Sequence, residues 1–300
     1  MNKRNKAALM LIISMSVFGT IGAFVKNIPL PAAEIALYRA VMATVVIGLF
    51  LLIKRQKLDI KAIGKALPLL LLSGAAMAFN WIFLFEAYKY TTVSTATLAY
   101  YFAPVIVTVA CPILFKEKMG AKQWICFIMS TVGIVMITLT SEDAPDGYLL
   151  GILFGLAAAA LYATVILLNK SLGEVDGIER TFIQFVAAVV VLVPYVLLTG
   201  GINITSLNST GIVNLVVVGV VHTGVTYCLY FSSLKELSGQ HAAILSYIDP
   251  LVAVIVSIAV LNETMTPLQI IGGVLILGFT VYNELPVSIF ELIKKKTKKD

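Results

Sequence analysis

Charge is scarce in this chain. Asp, Glu, Lys and Arg make up 13% of its 300 residues against 59% hydrophobic, with a mean hydropathy of +0.96. A soluble domain carries about a quarter charged residues, so a water-facing globule is excluded and an integral membrane protein is expected. Histidine occurs twice and cysteine three times. Cys111, Cys126 and Cys228 fall singly inside apolar runs, with neither metal-ligand spacing nor a disulfide framework, so they read as packing residues and no metal is expected. A Gly-x-x-x-x-Gly-Lys-Ser/Thr sequence is missing, which removes ATP as a direct driver. Strand-like alternation is missing too, which argues against a membrane barrel. With no soluble module, no Ser-His pair and no ligand cluster, catalytic residues and cofactors are expected to be none, and an embedded enzyme is disfavoured. The net charge of +6 invites a nucleic-acid reading, but the placement of the basic residues has a simpler cause.

What the chain does have is apolar runs of roughly 20 residues, long enough at about 1.5 Å per residue to cross a hydrocarbon core of about 30 Å. Ten spans fit: 7–26, 32–53, 66–88, 94–115, 121–139, 147–170, 178–198, 211–234, 240–261 and 267–285. The first is too long for a signal peptide and lacks a clear cleavage site. With the N-terminus in the cytoplasm, only Lys26, Arg39 and Lys89 of the 22 basic residues fall toward the outer side. This is the positive-inside pattern, so both termini are expected in the cytoplasm of a cell whose plasma membrane holds the protein. The tail 286–300, with Lys294 to Lys299, reads as the last inside anchor and can touch anionic membrane lipid.

The stretch from Lys89 to Gln123 repeats, without gaps, from Lys235 to Gln269. Tyr101 falls on Tyr247, Pro104 on Pro250 and Glu117 on Glu263. Lys26 and Lys170 extend the match, giving one five-span unit over 7–139 and another over 147–285. An odd number of spans inverts the second unit relative to the first. Inverted repeats mark alternating-access transporters, with the site near the midplane between the halves.

Several polar residues fall at membrane depth. Asp249 lies near mid-span, where a charge costs roughly 2.5–3.5 kcal/mol on insertion scales, with Ser246 on the same face. It is either held neutral in a helix contact or faces a wet cavity as a substrate or proton site. His222 lies at similar depth, starting a stripe through Thr226 and Tyr230; coupling to protons by His222 and Asp249 together is one reading, a satisfied core histidine the other. Arg39 lies roughly 10 Å below the outer surface. It pairs with Glu34 or Glu86, or faces a cavity and takes a carboxylate or phosphate. Gln184 holds the matching place in the second half, so the halves are not equivalent there. Asn80 matches Thr226. Trp81, Tyr101, Tyr162 and Tyr247 are rings that either pack or contact an aromatic or cationic ligand. Pro104 and Pro250 are expected to bend their spans as packing kinks or hinges. Glu117 and Glu263 are expected to tie a helix end to the start of the next helix, where Thr266-Pro267-Leu268-Gln269 forms a capping pattern.

Ten spans in two inverted halves, with Pro104…Glu117…Gln123…Gly133 in one and Pro250…Glu263…Gln269…Gly272 in the other, resemble the drug/metabolite transporter superfamily, specifically the EamA-type bacterial members. The resemblance covers nearly the whole chain. It implies an all-α membrane fold, a cavity lined by spans one to four and six to nine, and spans five and ten peripheral or in a homodimer contact. It also implies export of amino acids, related metabolites or toxic compounds, driven by protons or by exchange for a counter-solute. Asp249 and His222 stand outside the shared motif. The expectation is therefore a secondary active transporter of a small organic solute, most simply an exporter. An importer of the same fold and a non-transporting sensor or partner protein are the alternatives.

Overall fold

In the computed structural model the described residues are 3–56, 58–116, 119–139, 146–172, 175–237 and 239–285, and none of them is in a strand. Glu117 and the tail 286–300, both singled out in the sequence, lie outside the described residues. The helices are α1 (Lys3–Val25), α2 (Ala32–Ile53), α3 (Ile60–Tyr90), α4 (Val93–Tyr100), α5 (Ala103–Phe115), α6 (Ala121–Thr138), α7 (Tyr148–Lys170) and α8 (Gly177–Thr199). There follow α9 (Ser209–Val216), a π-helical stretch (Val217–Val225), α10 (Thr226–Leu234), α11 (Gly239–Ser246), α12 (Ile248–Leu261) and α13 (Pro267–Glu284). Taking α4–α5, α9–α10 and α11–α12 as single spans gives ten. Among the described residues nine of these are long and apolar enough to cross a membrane; α13, with polar Gln269, Asn283 and Glu284 near its ends, falls outside that set.

Packing follows the duplication. α1 lies against α10 and α12, and its counterpart α7 lies against α3, α4 and α5. α2 packs on α8 and the π-helical stretch, and its counterpart α8 packs on α2 and α3. α6 and α13 pair with each other: a Cβ added at Gly133 or at Gly272 would stand 2.6 Å from the other residue's carbonyl oxygen, so the backbones cross where only glycine fits. The pattern survives exchange of each span with the one five places on. Lipid tails do not drive helices together by the hydrophobic effect, so this close packing and the buried hydrogen bonds hold the bundle.

Two local features differ from the sequence expectation. The spans carrying Pro104 and Pro250 are not bent helices but pairs of helices, broken at Tyr101–Phe102 and at Tyr247. Each proline thus sits in a first turn, where its missing N–H leaves no helical bond unmade. The same two spans end alike, with left-handed residues at Lys116 (φ 55°) and Asn262 (φ 54°). α3 also begins six residues earlier than its apolar run, because the Asp59 side chain accepts from the N–H groups of Lys61 (3.1 Å) and Ala62 (3.0 Å).

Candidate functional site

A cavity of about 560 Å³ lies between the halves, within the size range of small-molecule sites. Its wall is drawn from α1, α2, α3, α4, α5, α7, α8, α10, α11 and α12, that is, from spans one to four and six to nine, with Glu284 of α13 at its rim. Its wall reaches helix ends at Asn169, Arg180 and Leu234 on the face that holds the N-terminus of the chain, and at Gly22 and Tyr88 on the opposite face, where Val93 packs against Gly22; the mouth is therefore assigned to the N-terminal face.

Of the residues singled out in the sequence, Arg39, Trp81, Tyr101, Pro104, Tyr162, Gln184, Tyr230, Ser246, Tyr247 and Asp249 line this cavity. Asn80, His222, Thr226 and Pro250 do not belong to its wall. Asn80 donates to the Ala158 carbonyl at 2.6 Å, fastening α3 to α7. His222 joins Thr20 Oγ1 at 2.7 Å and the Val217 carbonyl at 3.2 Å, with Phe24 beside its ring. Thr226 donates to Val221 in its own helix. Asn80 and His222 thus bond between helices, and Thr226 bonds within its own span.

Arg39 is buried yet forms no ion pair among the described residues. Both expected partners are engaged elsewhere: Glu34 accepts from Asn203 at 2.8 Å and 3.1 Å, and Glu86 pairs with Lys89 at 2.9 Å. The guanidinium lies 4.4 Å from the Trp81 ring centroid and 5.5 Å from that of Phe85, and its Nε donates to Thr223 Oγ1 at 2.8 Å. Thr223 is turned toward it by the π-helical stretch, whose wider turn lets the hydroxyl donate five residues back to Val218. The wide turn itself passes tightly over α2, with Gly219 against Met42 and Gly224 against Val46. Rings and a hydroxyl orient Arg39 without neutralising it, so its remaining donors are available to an anion.

Asp249 lies across the same chamber, accepting from the Tyr101 hydroxyl at 2.5 Å. Tyr88, Tyr100 and Tyr227 lie within electrostatic reach of both Arg39 and Asp249. Tyr100 stacks on Tyr162 with centroids 5.3 Å apart, and Tyr230 packs edge-on to Phe231 at 5.0 Å. Gln184 bridges Ser73 (2.6 Å) and Asn169 (2.7 Å). The chamber therefore offers Arg39, Asp249 and a surround of aromatic faces, with Arg180 and Glu284 also on its wall.

The other end is shut. The Glu263 carboxylate accepts from Val93 N–H (2.8 Å), from Ser257 Oγ and from Lys26 Nζ (2.5 Å), while Ser257 reaches Ser94 at 3.1 Å. Glu263 thus does not tie its helix to the next one, as expected from the sequence, but gathers the ends of α1 and α12 onto the start of α4. The counterparts of α4 and α12 are α11 and α5, which make no such packed face among the described residues; the cavity runs between them.

Residues 5–139 and 149–283 each match the EamA-like transporter family. The chain belongs to that family. Among its relatives, the uncharacterized transporter YxxF of Bacillus subtilis (strain 168) is 29% identical over 84% of this chain and 81% of its own length. An uncharacterized transporter of Archaeoglobus fulgidus is 28% identical over 89% and 92%. A probable amino-acid metabolite efflux pump of Salmonella typhimurium is 25% identical over 70% and 75%. A solved crystal structure shares the fold with a TM-score of 0.63 at 15% identity, over 93% of this chain and 97% of that one. As an EamA-family member the chain is a multi-pass membrane transporter.

Thr223, Tyr88, Tyr227 and Arg180 are wall or support residues that sequence reasoning passed over. The π-turn that recruits Thr223 leaves no mark in hydrophobic periodicity. Arg180 left one: it is a cation in the first turn of α8, against the helix dipole.

Proposed function

We propose that this EamA-family protein is a secondary active exporter of small organic solutes carrying a carboxylate, with amino acids and aromatic metabolites as the first class to test. The observation that carries the reading is the unpaired Arg39 guanidinium, held by Trp81 and Thr223 in a ring-lined cavity that is closed on one face only. A carboxylate would meet the free donors of Arg39, and an ammonium group would meet Asp249 and the tyrosine faces. Outward direction is supported by the efflux-pump relative, and bacterial and archaeal relatives support the plasma membrane as the site. Basic residues at the N-terminal face, among them Lys3, Arg4, Lys54 and Lys235, support a cytoplasmic N-terminus. The cavity then faces the cytoplasm and the Glu263 cluster closes the outside. Alternating access would exchange the closed ends, as the repeated helix breaks at Tyr101 and Tyr247 permit.

Asp249 is the proposed proton carrier. Its described partner is a tyrosine hydroxyl rather than a cation, so its charge is free to change during the cycle. With a carboxylate that lacks an ammonium group as the solute, Asp249→Asn in liposomes should leave exchange of solute for solute intact and remove the dependence of net transport on a pH gradient. Persistence of gradient-driven transport in that variant would exclude Asp249 as the carrier. The substrate class is tested by thermal stabilisation of the purified protein with amino acids, aromatic carboxylates and organic cations. Stabilisation by the carboxylate-bearing compounds is expected, and stabilisation by cations alone would overturn the class.

A further inference from the structure

A second unneutralised cation lines the cavity, at its mouth. Arg180 is the fourth residue of α8, whose first turn is fixed by Asp176 accepting from Ile178 N–H at 3.1 Å and by Glu179 accepting from Gln56 at 2.9 Å. Its Nε is buried and bonded to nothing, and its Nη1 stands 3.4 Å from the Asn169 carbonyl, a long contact. The nearby carboxylate of Asp176 is 3.3 Å from Lys235, and Arg180 itself forms no ion pair among the described residues. A buried donor without a partner is destabilising, more so on a charged group, and a cation in a first helical turn adds to that. The Nε is enclosed, so an anion in the cavity would meet the other guanidinium donors and offset the charge.

We infer that Arg180 is a docking site for the substrate's carboxylate at the cavity mouth, which the anion occupies before it reaches Arg39. The inference rests on the carboxylate reading of the cavity given above. Two cations at opposite ends of one aromatic chamber form a path in which an anion is drawn in by the first and held by the second. Tyr230, beside Arg180 and part of the same wall, continues into the ring cluster with Tyr227 (6.5 Å between centroids) that leads inward.

The two tryptophans allow a direct test. Trp81 lies against Arg39, whereas Trp124 is 51% exposed on α6, away from the cavity wall. In the full chain carrying Trp124→Phe, Trp81 fluorescence reports arrival at Arg39. The probes are 3-phenylpropionate, which has only the carboxylate, and phenethylamine, which has only the amine. With Arg180→Gln, association of 3-phenylpropionate should slow about three- to tenfold and lose its dependence on ionic strength, while the signal at saturation and phenethylamine kinetics stay unchanged. Arg180→Lys should restore most of the rate and guards against a folding defect in the glutamine variant. Unchanged 3-phenylpropionate kinetics in Arg180→Gln, or equal slowing of both probes, would overturn the docking role alone. Absence of any 3-phenylpropionate signal in the protein with Arg180 intact would overturn the carboxylate reading itself.

Discussion

On the face opposite the N-terminus, Glu263 gathers α1, α4 and α12 into one closed cluster, and deeper along the same α1–α12 contact, at the cavity wall, a Cβ added at Gly19 would stand only 2.5 Å from the Asp249 carbonyl oxygen. On the N-terminal face the copies of α4 and α12, namely α11 and α5, stand apart with Thr108 and Ser246 both on the cavity wall between them. Sequence copies therefore occupy two arrangements in one molecule. A duplicated unit that packs closed at one end and open at the other has both arrangements within its repertoire, which is what an alternating cycle requires.

That contrast can be broken from the closed side. Gly19→Ala would push a methyl group into backbone, where α12 has no rotamer with which to yield; the Val252 Cβ, 2.7 Å away, blocks the other direction. Overpacking of this kind costs up to about 3 kcal/mol, a shift on the order of a hundredfold toward opening at that face. Labelling of a cysteine placed at Ser94 by a membrane-impermeant thiol reagent should accelerate accordingly. Glu263→Gln keeps an acceptor for Val93 N–H but removes the charge that serves it, Ser257 and Lys26 together. About 1–2 kcal/mol, or roughly five- to thirtyfold faster labelling, is expected. Lys26 is 37% exposed in its ion pair, so Lys26→Gln should change the rate by no more than about fivefold. Equal rates in all three variants would show that the cluster does not govern closure.

Much of this architecture was legible in the chain. Apolar run lengths gave the spans, and the offset between Tyr101-x-x-Pro104 and Tyr247-x-x-Pro250 gave the duplication, because both are properties of local sequence. The positions of Arg39 and Asp249 at membrane depth pointed to the cavity for the same reason: a charge there is costly and needs a polar setting. What could not be read was partner choice. Arg39 has two acidic neighbours in sequence, Glu34 and Glu86, yet Asn203 and Lys89 take them. His222 looked like a companion to Asp249 by depth alone, but depth does not fix the direction in which a helix faces, and Thr20 holds it. Glu263 likewise reaches a helix remote in sequence, which no capping pattern encodes.

In the proposed cycle Arg39 holds a carboxylate inside a cavity that opens to alternate faces. The direct measurement is exchange of radiolabelled L-phenylalanine across liposomes containing only this protein, compared with Arg39→Gln and with phenethylamine as substrate. Loss of a charge-assisted contact is worth about 1.5–3 kcal/mol, so exchange of L-phenylalanine at low concentration should fall about ten- to hundredfold in Arg39→Gln, while phenethylamine exchange changes far less. Saturable exchange of L-phenylalanine that is unaffected by Arg39→Gln, or an equal loss for both solutes, would contradict the account.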